Sequence, residues 1–377
     1  MAGIYIHIPF CESKCSYCDF ASFANKKGSI ESYFQALYRE IEIQSQKYRD
    51  KYIFETIYFG GGTPSFVDAK YIVKTVQLLK NSFQFVQDIE ITIEMNPNSA
   101  MQNKIAQYKE VGINRFSIGL QTAIDKQLKE IGRVHTLQDF QRATEFLQDV
   151  NFNVDIMIGL KNQKLADILF SIDQAVRAGA SHISVYALTV EEDTPIYKDY
   201  LAGLLPSEEE VAIFYEEVVN YLKKKNFLRY EVSNFSLLEK QSKHNLIYWH
   251  AKEYLGLGLS ASSYMEKSRF TNTANLQEYI SMLENDVIPI ETMENIDRDT
   301  AKFEFIMLAF RLTEGILLKE YSNRFQEDFL QEYAEVIEKY KTYLKIEKDR
   351  VTIREEYLYV QNSILIDFLK ENKRESV

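Results

Sequence analysis

Six short apolar, β-rich runs punctuate the first half of the chain, at residues 4–8, 56–59, 89–94, 115–120, 154–158 and 183–188. Stretches of helical period separate them. Ile30, Phe34, Leu37 and Ile41 recur at 4-3-4 spacing, one face of a helix, and Ile72, Val76 and Leu79 repeat it behind Asp68, a residue suited to an N-cap. Gly112 and Gly179 fall where helices should end, because glycine enters the left-handed conformation of a C-cap at little cost. Ser207 and Glu210 form a capping-box pattern ahead of Val211, Phe214, Val218 and Leu222. Strand–helix units in series predict an α/β architecture with a parallel sheet and helices outside it. An open doubly wound sheet and a barrel or partial barrel both satisfy the pattern. In either, ligands gather at the C-terminal ends of the strands. The residues that carry chemistry lie there: Cys11, Cys15 and Cys18 after the first run, Gly60–Gly62 after the second, Glu94 on the third, Gln121 after the fourth and Asp155 on the fifth.

Beyond about residue 226 the alternation fades into loops rich in Ser, Asn and Tyr that run to about 275. Helical patterns return with Phe303, Ile306, Met307 and Phe310 and again over 325–344, and residues 344–353 could turn as a hairpin. The expected division is a core domain over 1–225, a connecting region over 226–290 and a small helical, winged-helix-like domain over 291–377. The mixed charge of that last segment favours docking over DNA binding.

A net charge of −11 argues against general affinity for nucleic acid or anionic lipid. No apolar run reaches the ~18 residues that span a bilayer, and the N-terminus lacks the pattern of a signal peptide. A reducing cytoplasm is the expected setting, with peripheral contact at a membrane left open.

All three cysteines of the chain crowd into one C-x3-C-x2-C run. An odd number of thiols does not make a disulfide framework. A structural zinc site needs four ligands, with His7 as the available fourth. Three thiolates suit three corners of a [4Fe–4S] cube and leave one iron open to another ligand, where most such clusters take four cysteines.

The ordered strings are more specific. They read Ile4-Tyr5-Ile6-His7-Ile8-Pro9-Phe10-Cys11, Gly60-Gly61-Gly62-Thr63-Pro64, Glu94-Met95-Asn96-Pro97, Arg115-Phe116-Ser117-Ile118-Gly119-Leu120-Gln121 and Gly132-Arg133-Val134-His135. Together with the cysteine loop they resemble the radical S-adenosylmethionine (SAM) proteins. Within these they resemble the family that holds the oxygen-independent coproporphyrinogen oxidases and their relatives, the heme chaperones. The resemblance implies a partial (β/α)6-type barrel and a [4Fe–4S] cluster whose open iron is chelated by SAM. It also implies roles for residues. Gly61, Gly62, Thr63 and Glu94 would meet the methionine amino group, Arg133 its carboxylate, Gln121 and Asp155 the ribose, and Tyr5, Tyr17 and Ala187 the nucleoside surroundings. The string from Gly256 to Ala261 fits a dinucleotide fingerprint but opens no long helix. It corresponds to a family loop from which Leu259 and Ser260 depart, as Lys161 departs from a family proline.

Two features separate the branches of the family. Its oxidases carry a further cysteine where this chain has Phe20, and an extension before the first strand where this chain has Met1, Ala2 and Gly3. His244, Asn245, Tyr248 and Trp249 fill the H-N-x-x-Y-W string of the chaperones. That resemblance implies heme contact, since a neutral imidazole can ligate iron and flat rings pack on a macrocycle. His250 is a second candidate ligand, and a buried His–Trp packing pair is the structural alternative. The expectation is a heme chaperone that delivers heme to apo-hemoproteins, respiratory enzymes among them, and that needs an electron donor for its cluster. Coproporphyrinogen III oxidase, a SAM-dependent methyltransferase and a non-catalytic iron–sulfur interaction module are the alternatives.

Overall fold

The computed structural model describes residues 1–24 and 26–369. Six strands run parallel and in chain order: β1 (Ala2–Ile8), β2 (Ile53–Gly61), β3 (Gln84–Met95), β4 (Arg115–Gln121), β5 (Asn151–Ile158) and β6 (His182–Ala187). Helices α1 (Ile30–Tyr48), α2 (Ala69–Ser82), α3 (Gln102–Val111), α4 (Asp125–Glu130), α5 (Leu137–Glu145) and α6 (Leu165–Arg177) connect them, and α7 (Tyr197–Leu201) and α8 (Glu208–Lys224) follow β6. The caps fall where the chemistry places them. The Asp68 side chain accepts from the Lys70 N–H, Ser207 and Glu210 cap α8 reciprocally, and Gly112 closes α3 at φ 101°.

Period-two alternation on the strands explains the curvature. Phe116, Ile118, Leu120, Phe152, Val154, Ile156, Ile183 and Val185 are fully buried in the core beneath the helices. Their neighbours Ser117, Gly119, Gln121, Asn153, Asp155, Ser184 and Tyr186 line a cavity on the opposite face. Polar side chains cannot fill a dry core without a large desolvation cost. The sheet therefore curls around a space that can hold polar ligands.

The connecting region expected over 226–290 is not a separate unit. It supplies β7 (Leu228–Arg229) and β8 (Asn234–Ser236) to one edge of the barrel sheet, and β9 (Tyr254–Leu257), β10 (Ser262–Met265) and β11 (Ser268–Asn272) to the other, where β12 (Ile290–Asn295), expected mostly in the C-terminal domain, also pairs. The order is β12-β11-β10-β9-β1-β2-β3-β4-β5-β6-β8-β7, and its two ends do not pair, so the barrel is partial. Strand β9 joins β1 in parallel as a seventh such strand, and the rest are antiparallel. Gly256 lies in β9 and Gly258 turns the chain at φ 104°, so this string is an interior strand and turn, with no dinucleotide helix. The short helix α9 (Lys243–Trp249) crosses between the two edges, and α10 (Leu276–Glu284) packs on α1.

The remaining residues form a second core around Phe305, Phe310, Tyr321, Phe329 and Phe368. It holds α11 (Arg298–Ala309), α12 (Leu318–Phe325), α13 (Phe329–Glu332) and α14 (Ala334–Lys339) against a three-stranded antiparallel sheet of β13 (Ile316–Leu317), β14 (Leu344–Glu347) and β15 (Arg350–Ile353). The hairpin expected over 344–353 is present. The helical pattern expected over 325–344 is met by two short helices, α13 and α14, which part at Tyr333, where the backbone leaves helical geometry at φ −110° and ψ 25°. Main-chain and arginine contacts tie this unit to the barrel: Thr313 N–H to Tyr230 O at 3.0 Å, Arg229 to Glu355 O at 2.8 Å and Arg324 to Ala251 O at 2.9 Å.

Candidate cofactor site in the barrel

A cavity of about 640 Å³ runs down the inside of the barrel. Its upper end lies at the C-terminal ends of the strands, beneath the cysteine loop. Phe10 and Cys11 pair with Phe23 and Ala24, and Cys18 N–H turns back to Cys15 O at 3.2 Å. Ser16 is pinned from both sides, donating to Ile131 O at 3.0 Å and accepting from Ile196 N–H at 3.0 Å. All three thiols face the cavity. Burial raises the pKa of Cys11 and of Cys15, and the nearby Arg133 guanidinium draws Cys15 back down. Thiolate ligation therefore waits for a cationic partner.

The glycine turn after β2 is shaped for close approach. Gly62 donates to Ile8 O at 2.8 Å, and a Cβ there would stand 3.0 Å from the Cys11 sulfur and 2.9 Å from Phe10 O. Gly61 adopts φ 107°, directly over the His7 ring. His7 is no metal ligand: Nε2 bonds Ala21 O at 2.8 Å and Nδ1 bonds Tyr5 Oη at 3.2 Å. Among the described residues no three His, Cys, Asp or Glu side chains group around a single ion. The three thiols stand at the lip of the cavity without His7 beside them as a fourth ligand.

The donor set fits a cluster with SAM beside it. Glu94 accepts from Tyr58 Oη at 2.8 Å, and burial pushes its carboxyl up to about 7. Arg133 donates to Asn96 Oδ1 at 2.5 Å, while its buried Nε has no partner, a donor left for an anionic ligand. Asp155 is held by Ser117 at 3.2 Å and by Asn153 at 2.6 Å, and burial raises its pKa as well. Gln121 sits at φ 66° beside a register shift between β4 and β5, so the backbone turns its side chain into the cavity. A Cβ on Gly119 would meet the Gln121 amide at 2.9 Å and the Arg133 guanidinium at 3.0 Å. A side chain there would push the ends of both aside.

Tyr17, Gly61, Gly62, Thr63, Glu94, Gln121, Arg133, Asp155 and Ala187 all line the cavity with the cysteines, as the sequence strings imply. Tyr5 does not. It stacks behind Tyr58 at 6.3 Å between ring centres. Asn96, Arg115, Asn153, His182 and Ser184 also face the cavity. Their sequence signal is the polar residue at every second strand position.

The H-N-x-x-Y-W string lies at the other end of the barrel, on α9. His244 is buried there, with Nδ1 on Thr56 Oγ1 at 2.7 Å and Nε2 on Tyr248 Oη at 2.8 Å. Its ring stacks on Tyr58 at 5.0 Å, and burial drives its pKa down to about 3. With both nitrogens engaged, His244 presents none to iron in this conformation, and the rings packed against it are Tyr5, Tyr58 and Tyr248 rather than the Trp249 of the structural alternative. Asn245 reaches the cavity, whereas Tyr248 and Trp249 do not.

Comparison with known proteins agrees with this geometry. Residues 5–175 match the Radical SAM superfamily, and residues 296–361 match the HemN C-terminal domain. The chain is 33% identical to the heme chaperone HemW of Buchnera aphidicola subsp. Schizaphis graminum, over 97% of this chain and 98% of that one. It belongs to the HemW family. The HemW of Bacillus subtilis is likewise 33% identical, over 86% of this chain and 87% of its own. The Escherichia coli coproporphyrinogen III oxidase HemN, described as a radical SAM enzyme, superposes with a TM-score of 0.86 over 98% of this chain and 90% of that one. Its 17% identity extends the likeness to the fold alone. Membership of the radical SAM superfamily implies a [4Fe–4S] cluster and SAM; the thiols and the lining residues above are the groups that would hold them. The cluster with its bound SAM supplies reducing-electron chemistry at the sulfonium. The residues lining the cavity would orient SAM, with Glu94 and Arg133 facing its charged ends. No helix among the described residues is long and apolar enough to cross a membrane.

Proposed function

We propose that this protein is a heme chaperone that carries a SAM-coordinated [4Fe–4S] cluster and passes heme to hemoproteins, respiratory enzymes among them. The observation that carries the reading is the likeness over nearly its whole length to proteins named heme chaperones, at 33% identity. The cavity adds a constraint. Its 640 Å³ is the volume of one drug-sized ligand. SAM would take a large share and leave little room for a macrocycle beside it, which favours a heme site outside the barrel.

The outer end of α9 suits it. His250 is the half-buried histidine of the chain, with 26% of its side chain exposed; the other four are buried. Burial lowers its pKa, so the imidazole is neutral and free to donate to iron, with Glu314 at 3.6 Å. Trp249 adjoins it, with the Arg311 guanidinium 5.9 Å over the indole and in reach of a propionate. His250 is then the ligand, Trp249 the packing surface, and His244, Asn245 and Tyr248 the support that fixes α9. Transfer needs an acceptor that binds heme more tightly, and an external electron donor serves the cluster.

The test is a heme titration of anaerobically reconstituted protein, followed by the Soret band. His250→Ala should weaken binding at least tenfold and shift the band, while folded His244→Ala should retain the wild-type spectrum. Absence of heme uptake by the intact protein ends the chaperone reading. An unchanged spectrum in His250→Ala ends the ligand assignment alone. Conversion of coproporphyrinogen III to a vinyl product would replace the reading with the oxidase.

A further inference from the structure

Arg115 is the charged group that the SAM site leaves unused. It opens β4, is only 5% exposed and faces the cavity. Among the described residues its side chain makes no hydrogen bond or ion pair. Arginine is almost never buried without a partner, because an uncompensated charge is costly to desolvate. Six residue steps separate Arg115 from Gln121, about 20 Å along an extended strand. The guanidinium therefore belongs to the inner end of the cavity, near the α9 floor and away from the ribose-binding residues.

Asp155 is favoured as a carboxylate by the Arg115 charge across the cavity but makes no ion pair with it among the described residues, and the other acids in that space are engaged elsewhere. Asp155 is held by Ser117 and Asn153, and Glu94 by Tyr58. Glu90 accepts the Lys243 and His244 N–H groups at the start of α9. Both ring nitrogens of His182 are taken, by Asn153 at 2.7 Å and Tyr230 at 2.9 Å. The side-chain amide of Asn245 lines the same cavity and has no hydrogen-bond partner among the described residues.

We propose that the inner cavity is a second binding chamber, for a small molecule whose carboxylate is received by Arg115 with Asn245 beside it. A guanidinium offers two parallel N–H donors that match a carboxylate. One positive charge balances one carboxylate, whereas a phosphate dianion would leave a negative charge buried. The start of α9 adds no competing anion site, since Glu90 and Ser242 already accept its first N–H groups. The chamber is independent of heme binding on the outer end of α9.

Saturation-transfer NMR on the SAM-loaded, cluster-reconstituted protein tests it, with acetate, pyruvate and methylphosphonate as probes. Acetate and pyruvate should receive transfer. Arg115→Gln should weaken them at least tenfold, and Arg115→Lys should recover part of the loss. If circular dichroism shows that Arg115→Gln does not fold, Asn245→Leu, which fills the chamber from its floor, should produce the same tenfold loss. The proposal is overturned if neither carboxylate binds. Equal binding by folded Arg115→Gln, equal binding by Asn245→Leu, or a preference for methylphosphonate overturns it too.

Discussion

The two ends of the barrel solve opposite problems. At the cysteine end the backbone does the shaping: a glycine under each approach, a left-handed Gln121, and side chains left with free valences such as the Arg133 Nε. At the α9 end the side chains around His244 satisfy one another, while the Trp249 Nε1 donor on the same helix has no partner. Thr56, His244 and Tyr248 form a closed chain of hydrogen bonds, stacked on Tyr58. Unspent polar groups mark the end that receives cofactors, and spent ones mark the end that holds the barrel together. By that criterion Arg115 and Asn245 are out of place at the floor.

Substitutions at the two ends should therefore fail in different ways. The largest effect is Cys15→Ser, which should abolish the cluster in a folded protein, seen as loss of iron and acid-labile sulfide with an unchanged far-ultraviolet spectrum. A stable cluster in that variant would break the assignment of the lip. His244→Ala removes two hydrogen bonds and a stacked ring, and should cost about 3 kcal/mol in urea unfolding. A cost near zero would mean that the floor is not structural. Gly62→Ala forces a methyl against Cys11 and Phe10, and should cost about 2 kcal/mol along with cluster occupancy.

The Glu94 carboxyl sharpens the contrast through pH. With its pKa raised to about 7, it is mostly protonated at pH 6 and must release a proton to receive the methionine amino group. SAM affinity should rise with pH, by up to about tenfold per unit below 7, and then level. Glu94→Gln should bind weakly and lose that slope, which equilibrium dialysis would show. Ser242→Ala gives the smallest effect, about 1 kcal/mol, because Ser242 caps α9 through the Asn245 N–H.

Much of this was legible in advance. The six parallel strands stand on the six apolar runs, and every residue expected at the SAM site except Tyr5 reaches the cavity. Those features follow from local pattern and from short strings whose residue types the chemistry demands. Strands β9–β12 were hidden. They are four to six residues long, carry Ser, Asn and Tyr, and exist because a neighbouring edge pairs with them. The place of His244 was hidden for a related reason. The string names residues that share a helix, but only the fold shows that this helix closes the barrel floor. Arg115 read as the start of a strand, and its isolation is a property of five strands at once.

The seventh parallel strand has a consequence for how the protein is made. Strand β1 carries the cysteine loop, and β2 covers one of its flanks early in synthesis. The other flank stays bare until Tyr254–Leu257 leaves the ribosome, roughly 10–50 s later at ordinary elongation rates. The loop therefore gains a scaffold on both sides only after about two-thirds of the 377 residues have been made, and a cluster that needs both flanks fixed has to be assembled late.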